Sequence, residues 1–231
     1  MNSGKKAAVV TGASSGIGYE IAQVLLEKGY EVFGFGRSFK RECRFNAIEC
    51  DICDTDKLIR RIDEIKKEYV VEVLVNNAGV GFYGLHEELN AQKIKQLVRT
   101  NLEAPMILTN YLLRELKKNK GWIFNISSVT ATKTNPHGCA YGATKAGLSS
   151  FSHSLFEEAR KYGVKVVNIQ PDMTATDLYR NADFKEDEDV MAHLLPQEVA
   201  DVVRYALEQR EGLVISDVTL RPQLHRISKR K

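Results

Sequence analysis

The chain has 231 residues, 43% of them hydrophobic and 27% charged, a length and balance that allow one sizeable core and exclude disorder for most of its extent. No apolar run reaches the roughly 20 residues needed to cross a bilayer, and Met1 to Lys6 lack the apolar stretch of a signal peptide, so a cytoplasmic protein with no membrane partner is expected. The net charge of +3 is concentrated in Arg221, Arg226, Lys229, Arg230 and Lys231, which leave the rest at −2; a nucleic-acid partner, which needs a basic face across the fold, is not expected.

Short β-branched runs alternate with segments of helical period from one end to the other. The predicted strands are Ala7 to Val10, Glu31 to Gly36, Phe45 to Cys50, Val71 to Asn76, Gly121 to Ile126, Val164 to Ile169 and Leu213 to Leu220. Between them, Ile17, Ile21, Val24 and Leu25 make one apolar stripe, and Leu58, Ile62 and Ile65 make a second, for which Asp54 offers an N-cap. A long helical segment is predicted from about Lys93 to Lys117, another over Cys139 to Lys161, and Pro196 opens a last helix through Val199, Val202, Val203 and Ala206. This pattern predicts an α/β fold: a Rossmann-type, doubly wound, seven-stranded parallel sheet with helices on both faces. No Ser/Pro-rich linker interrupts residues 1–231, which read as a single domain. Ligands of such sheets bind at the carboxyl ends of the strands, so functional residues are expected just after them.

The first such position holds Thr11-Gly12-Ala13-Ser14-Ser15-Gly16-Ile17-Gly18, running into the first helix. Gly12 can turn where other residues cannot, Gly16 lets the backbone approach a pyrophosphate, and Gly18 lets helix and strand pack closely, while the helix N-terminus offers free N–H groups to the anion. After the second strand, roughly 20 residues past the glycines, an NAD site would place an acidic residue for the ribose. This chain has Gly36-Arg37-Ser38. A guanidinium with a neighbouring hydroxyl accepts a 2′-phosphate where a carboxylate would repel it, so NADP(H) is the expected cofactor.

Tyr141 and Lys145 are four apart in a predicted helix and share a face, with Ser128 thirteen residues before Tyr141 and just after a strand. An adjacent ammonium favours phenolate, so the expectation is that Lys145 lowers the Tyr141 pKa and makes the phenol a usable general acid-base. Four cysteines, Cys43, Cys50, Cys53 and Cys139, are too few for a disulfide framework; Cys50 and Cys53 have CxxC spacing but no second ligand pair, so reduced thiols and no metal are expected.

The TGxxxGxG loop resembles that of the short-chain dehydrogenase/reductase family. The likeness extends through Asn76-Asn77-Ala78-Gly79, Asn101, Ser127-Ser128, Tyr141-Gly142-Ala143-Thr144-Lys145 and Pro171, in the family's order over residues 5 to about 220. The resemblance implies a catalytic set of Asn101, Ser128, Tyr141 and Lys145. Tyr141 would transfer the proton, Ser128 would steady the oxyanion, Lys145 would also hold the nicotinamide ribose, and Asn101 would hold a relay water. Asp51 and Ile52 resemble the family's adenine contact, and Thr174 and Thr176 follow Pro171 where the family places hydroxyls near the cofactor. It further implies a small carbonyl or alcohol substrate and a homodimer or homotetramer.

One departure is Asp172, where the family has glycine after the proline, because aspartate lacks glycine's backbone freedom. Residues 177–195, including Lys185-Glu186-Asp187-Glu188-Asp189, stand in the place of the family's substrate lid and read as a weakly periodic, solvated charge run. Residues 222–231 read as a basic, frayed terminus. Phe82, Tyr83, Thr130, His137 and Leu178 are candidate pocket walls. A non-catalytic NADP(H) sensor or scaffold is the alternative function, and a sugar-nucleotide epimerase would need an extra substrate domain.

Overall fold

A computed structural model of the chain describes residues 4–229; Arg230 and Lys231, counted above in the basic tail, and Met1 lie outside the described residues. In chain order the elements are β1 (Lys5–Thr11), α1 (Gly16–Glu27), β2 (Glu31–Gly36), β3 (Asn46–Glu49), α2 (Thr55–Glu68), β4 (Tyr69–Asn76), α3 (Ala91–Val98), α4 (Ala104–Asn119), β5 (Trp122–Ile126), α5 (Cys139–Ala159), β6 (Lys165–Pro171), β7 (Phe184–Glu186), α6 (Pro196–Leu207), β8 (Asp217–Leu220) and β9 (Ile227–Lys229). Among the described residues, seven of the nine strands form one sheet in the order β3-β2-β1-β4-β5-β6-β8, every pair parallel. The order reverses between β1 and β4, and a crevice opens there.

The central strands β2, β4, β5 and β6 and the second half of β1 are largely apolar because both faces are covered there. Along β1, Ala7 and Val9 join the core under α2, α4 and α5, with Leu58, Ile62, Leu108, Leu112 and Leu155. Ala8 and Val10 join the core under α1 and α6, with Ile21, Val24, Leu25, Val199 and Val203. The helix ends follow local chemistry. The Asp54 carboxylate accepts from the Lys57 N–H at 3.1 Å at the start of α2, and Pro196 opens α6 without losing an intrahelical bond.

Three elements differ from the sequence reading. The long helical segment expected from Lys93 to Lys117 is helical throughout, but a π-helical turn over Arg99–Glu103 divides it into α3 and α4. Pro105 has no N–H to continue the ladder, and the widened turn carries Asn101 to the interior. The last strand of the sheet is confined to Asp217–Leu220, with residues 213–216 outside it. The tail expected to fray instead supplies β9, which pairs antiparallel with β7 of the acidic segment 177–195. Two runs of opposite charge, each read as solvated, lie side by side.

Candidate active site

The two loops flanking the crevice are bound to each other before any ligand is considered. The Thr11 hydroxyl accepts from the backbone N–H groups of Asn77 and Ala78 at 3.0 and 3.1 Å and donates to the Val75 carbonyl. The Asn77 amide in turn donates to the carbonyls of Thr11 and Gly12 at 2.9 and 3.2 Å. Gly12 and Gly16 both take positive φ, +68° and +56°, which explains the glycines there. A Cβ on Gly12 would stand 2.8 Å from the Ala78 Cα, and one on Gly18 2.4 Å from the Gly12 carbonyl oxygen. Gly18 therefore lets the helix close onto the loop. No side chain caps α1, whose first-turn N–H groups stand at the crevice beside Ser15.

A cleft of about 500 Å³ runs from this loop across the sheet. It is lined by Gly12, Ser14, Ser15, Gly16 and Ile17, by Arg37, Asp51 and Ile52, by Asn77, Ala78 and Gly79, and by Pro171, Thr174 and Thr176. Gly18 and Asn101 lie behind its wall, and Ser38 is exposed outside it. One Asp51 oxygen accepts from the Cys53 N–H at 2.9 Å, so this carboxylate shapes the turn at one end of the cleft. Cys50, Cys53 and Arg99 also line that end, with the Arg99 guanidinium donating to the Cys53 carbonyl at 2.6 Å. The sequence carried no signal for Arg99; the CxxC spacing was visible, and its thiols are free. The cradle fits a dinucleotide: glycines where a Cβ would intrude, an uncapped helix N-terminus for a pyrophosphate, and a guanidinium beyond β2. Among the described residues there is no cluster of three His, Cys, Asp or Glu side chains placed to hold a metal ion.

At the other end the cleft meets Ser128, Tyr141 and Lys145, all buried. Ser128 caps a one-turn 3-10 segment directly after β5, its hydroxyl accepting from the Thr130 N–H at 3.2 Å. Tyr141 and Lys145 sit one turn apart on α5. Lys145 Nζ donates to the Ile126 carbonyl at 2.8 Å, so the end of β5 holds both the serine and the lysine.

The electrostatics correct the expectation that the lysine depresses the tyrosine. Burial pushes the Tyr141 phenol up to about 12, with a hydrogen bond to Ser128 pulling the other way. Burial alone brings Lys145 down to about 8. Desolvation thus sets the direction at both groups, with the ammonium 5.9 Å from the ring centroid. Asn101 is fully buried. Its amide oxygen accepts from the Val80 N–H at 2.9 Å, and its nitrogen donates to the Val80 carbonyl and the Thr144 hydroxyl at 3.0 and 3.2 Å.

Asp172 does not take a positive φ, so the glycine-specific conformation in question after β6 is not used. Its carboxylate accepts from the Met173 N–H at 2.9 Å, and it lines the cleft beside Leu178 and Tyr179. Of the other wall candidates, Tyr83 packs on the Tyr141 ring with centroids 5.6 Å apart, Phe82 joins the same cluster, and His137 is exposed on a turn at φ +62°. Thr130 does not line the cleft. Tyr179 went unnoticed because segment 177–195 has no period to mark an inward residue; it folds as short 3-10 turns around β7.

A buried phenol that keeps its proton at neutral pH, beside a hydroxyl and an ammonium, can protonate an oxyanion at the end of a dinucleotide cleft. The short chain dehydrogenase family model matches residues 6–187. An uncharacterized oxidoreductase of Staphylococcus epidermidis is 32% identical, with 94% of this chain and 97% of that protein covered. A metagenomic short-chain oxidoreductase solved in complex with NADP is 31% identical, with a TM-score of 0.78 over 96% of this chain and 99% of the other. The fold is also that of an alcohol dehydrogenase from Thermococcus sibiricus complexed with 5-hydroxy-NADP, at 23% identity and a TM-score of 0.85 over 96% and 98% of the two chains. With its doubly wound sheet, glycine cradle and buried Ser-Tyr-Lys group, the chain belongs to the short-chain dehydrogenase/reductase family of oxidoreductases.

Proposed function

We propose that the chain is an NADP(H)-dependent oxidoreductase that interconverts a small carbonyl compound and its alcohol, with Tyr141 as the general acid-base. The observation that carries this reading is the convergence of Ser128, Tyr141 and Lys145 at one end of the cleft whose other parts are the glycine loop and Arg37. When bound, the cofactor supplies or accepts the hydride at the substrate carbon. In reduction, Tyr141 gives its proton to the substrate oxygen, being fully protonated at neutral pH. Ser128 donates to the same oxygen as charge develops there. Lys145 steadies the phenolate that proton transfer leaves behind and, titrating near 8, can return a proton to it. Asn101 fixes the Val80 backbone beside Gly79 and braces α5 through Thr144.

The glycine loop and the α1 N-terminus would hold the pyrophosphate, Asp51 and Ile52 would border the adenine, and the Arg37 guanidinium would pair with a 2′-phosphate. The metagenomic relative complexed with NADP supports that cofactor. Val98 on α3 and Met106 on α4 are large exposed apolar side chains and support self-association through these helices, to be read as mass by light scattering.

Calorimetric titration with NADPH and NADH side by side tests the cofactor. Preference for NADPH is expected, and equal or tighter NADH binding would overturn the Arg37 assignment. A screen of ketones and aldehydes with NADPH then tests the reaction. An intact chain that binds NADPH but reduces none of them, and oxidises no alcohol with NADP, would point to the non-catalytic alternative.

A further inference from the structure

We propose that β9 is the strap of the substrate lid and that Phe184 is the positioning residue through which the strap sets the pocket wall beside Tyr141. The proposal rests on the reductase reading for its kinetic consequence but not for its structural one.

The lid is an excursion with a fastened base. The Thr176 hydroxyl accepts from the Leu178 N–H at 3.4 Å where the excursion leaves the cleft. Where it returns, the Leu194 N–H donates to the Met173 carbonyl at 2.7 Å and the Ala175 N–H to the Leu194 carbonyl at 2.9 Å. Between these points the only strand is β7, three residues long, and among the described residues its only ladder is with β9: Phe184 opposite Lys229, Lys185 opposite Ser228, Glu186 opposite Ile227. Further contacts add to it. The Ser228 hydroxyl donates to Asp187 at 2.8 Å, the Leu224 N–H to the Met191 carbonyl at 2.8 Å, and Arg226 stands 3.7 Å from the Asp189 carboxylate. A two-stranded ribbon this short is marginal alone and holds only with both strands present.

The inner side of the same strand reaches the chemistry. The Phe184 ring packs edge-on against Tyr83 at 5.1 Å and on Tyr179 at 5.5 Å; Tyr83 packs on Tyr141 at 5.6 Å, and Tyr179 lines the cleft. Phe184 therefore joins the strap on one side to two rings on the other, one of them in contact with the Tyr141 ring. Enclosure raises the pKa of both phenols, which keeps this wall uncharged at working pH. Losing the strap frees Phe184, and the substrate side loosens while the glycine loop and Arg37, on other elements, keep their places.

The test uses the NADPH-loaded full chain, a chain lacking residues 224–231, Ser228→Pro as a milder break of the ladder, and Phe184→Ala with Phe184→Tyr. Amide hydrogen exchange reads the strap without turnover. Exchange in residues 177–195 is expected to rise at least about tenfold when the strap is removed or broken, with β1, β4 and β5 unchanged. NADPH affinity by fluorescence should stay within about twofold, KM for a reduced probe carbonyl should rise about tenfold or more in Phe184→Ala with a smaller change in kcat, and Phe184→Tyr should restore it. Unchanged lid exchange in both strap variants would overturn the strap. A Phe184→Ala enzyme with unaltered KM, or one whose KM and kcat fail to recover in Phe184→Tyr, would overturn the positioning role. A wild-type chain that reduces no carbonyl overturns the reductase reading instead, and the exchange data still decide the strap.

Discussion

The ammonium of Lys145 stands 5.9 Å from the centroid of the Tyr141 ring, and its hydrogen bond runs to the Ile126 carbonyl at 2.8 Å. The pair is therefore ruled by burial before it is ruled by mutual attraction. Tyr141 rises to about 12 and Lys145 falls to about 8. Removing the phenol hydroxyl removes the proton donor and leaves the cradle intact. Tyr141→Phe should lower kcat by about a thousandfold with NADPH affinity within about twofold, read by steady-state kinetics and fluorescence titration. Turnover near wild type would sink the assigned role.

Burying the ammonium costs stability, which gives a pH signature. The folded pKa of Lys145, about 8, lies below its ordinary 10.5, so the penalty on the folded state is complete below pH 8, eases as pH rises, and is gone above 10.5. Lys145→Met carries no such penalty but loses the bond to Ile126. The apo variant should melt higher than wild type at pH 7, by on the order of 2–4 °C for a net gain near 1 kcal/mol, with the advantage shrinking by pH 9.5. A thermal scan at both pH values checks it; an advantage that grows with pH would contradict the sign.

Arg37 is exposed at the edge of the cleft, so its removal should not disturb the fold. Arg37→Ala should weaken NADPH by about 10- to 100-fold, the worth of charge-assisted hydrogen bonds, and leave NADH unchanged. Titration calorimetry with both cofactors distinguishes this from general damage to the site, which would weaken both alike.

Asn101 satisfies both backbone groups of Val80 from a fully buried position. Asn101→Ala leaves a buried N–H and C=O unpaired, and should cost about 2–3 kcal/mol in urea unfolding with the m-value unchanged. Asn101→Asp keeps the acceptor for the Val80 N–H but sets a carboxylate against the Val80 carbonyl, and should not rescue.

The Ser128, Tyr141 and Lys145 group was legible because its spacing is local. Tyr141 and Lys145 share a helix face by periodicity, and Ser128 follows a strand whose apolar run is plain. The role of Asn101 was less legible. Its partner, Val80, is 21 positions away, and the π-helical turn that aims it follows from one proline inside an otherwise regular apolar stripe.

Sequence alone determined the sheet, the glycine turns and the order of site residues, since hydrophobic period and backbone freedom act over a few residues and need no partner. Tertiary structure alone decided three things. It set the Tyr141 and Lys145 pKa values, because desolvation depends on everything packed around a group. It decided that Asp172 needs no left-handed backbone. It also decided that the acidic segment and the basic tail pair as β7 and β9, because a three-residue ladder between strands some forty positions apart leaves no periodic trace.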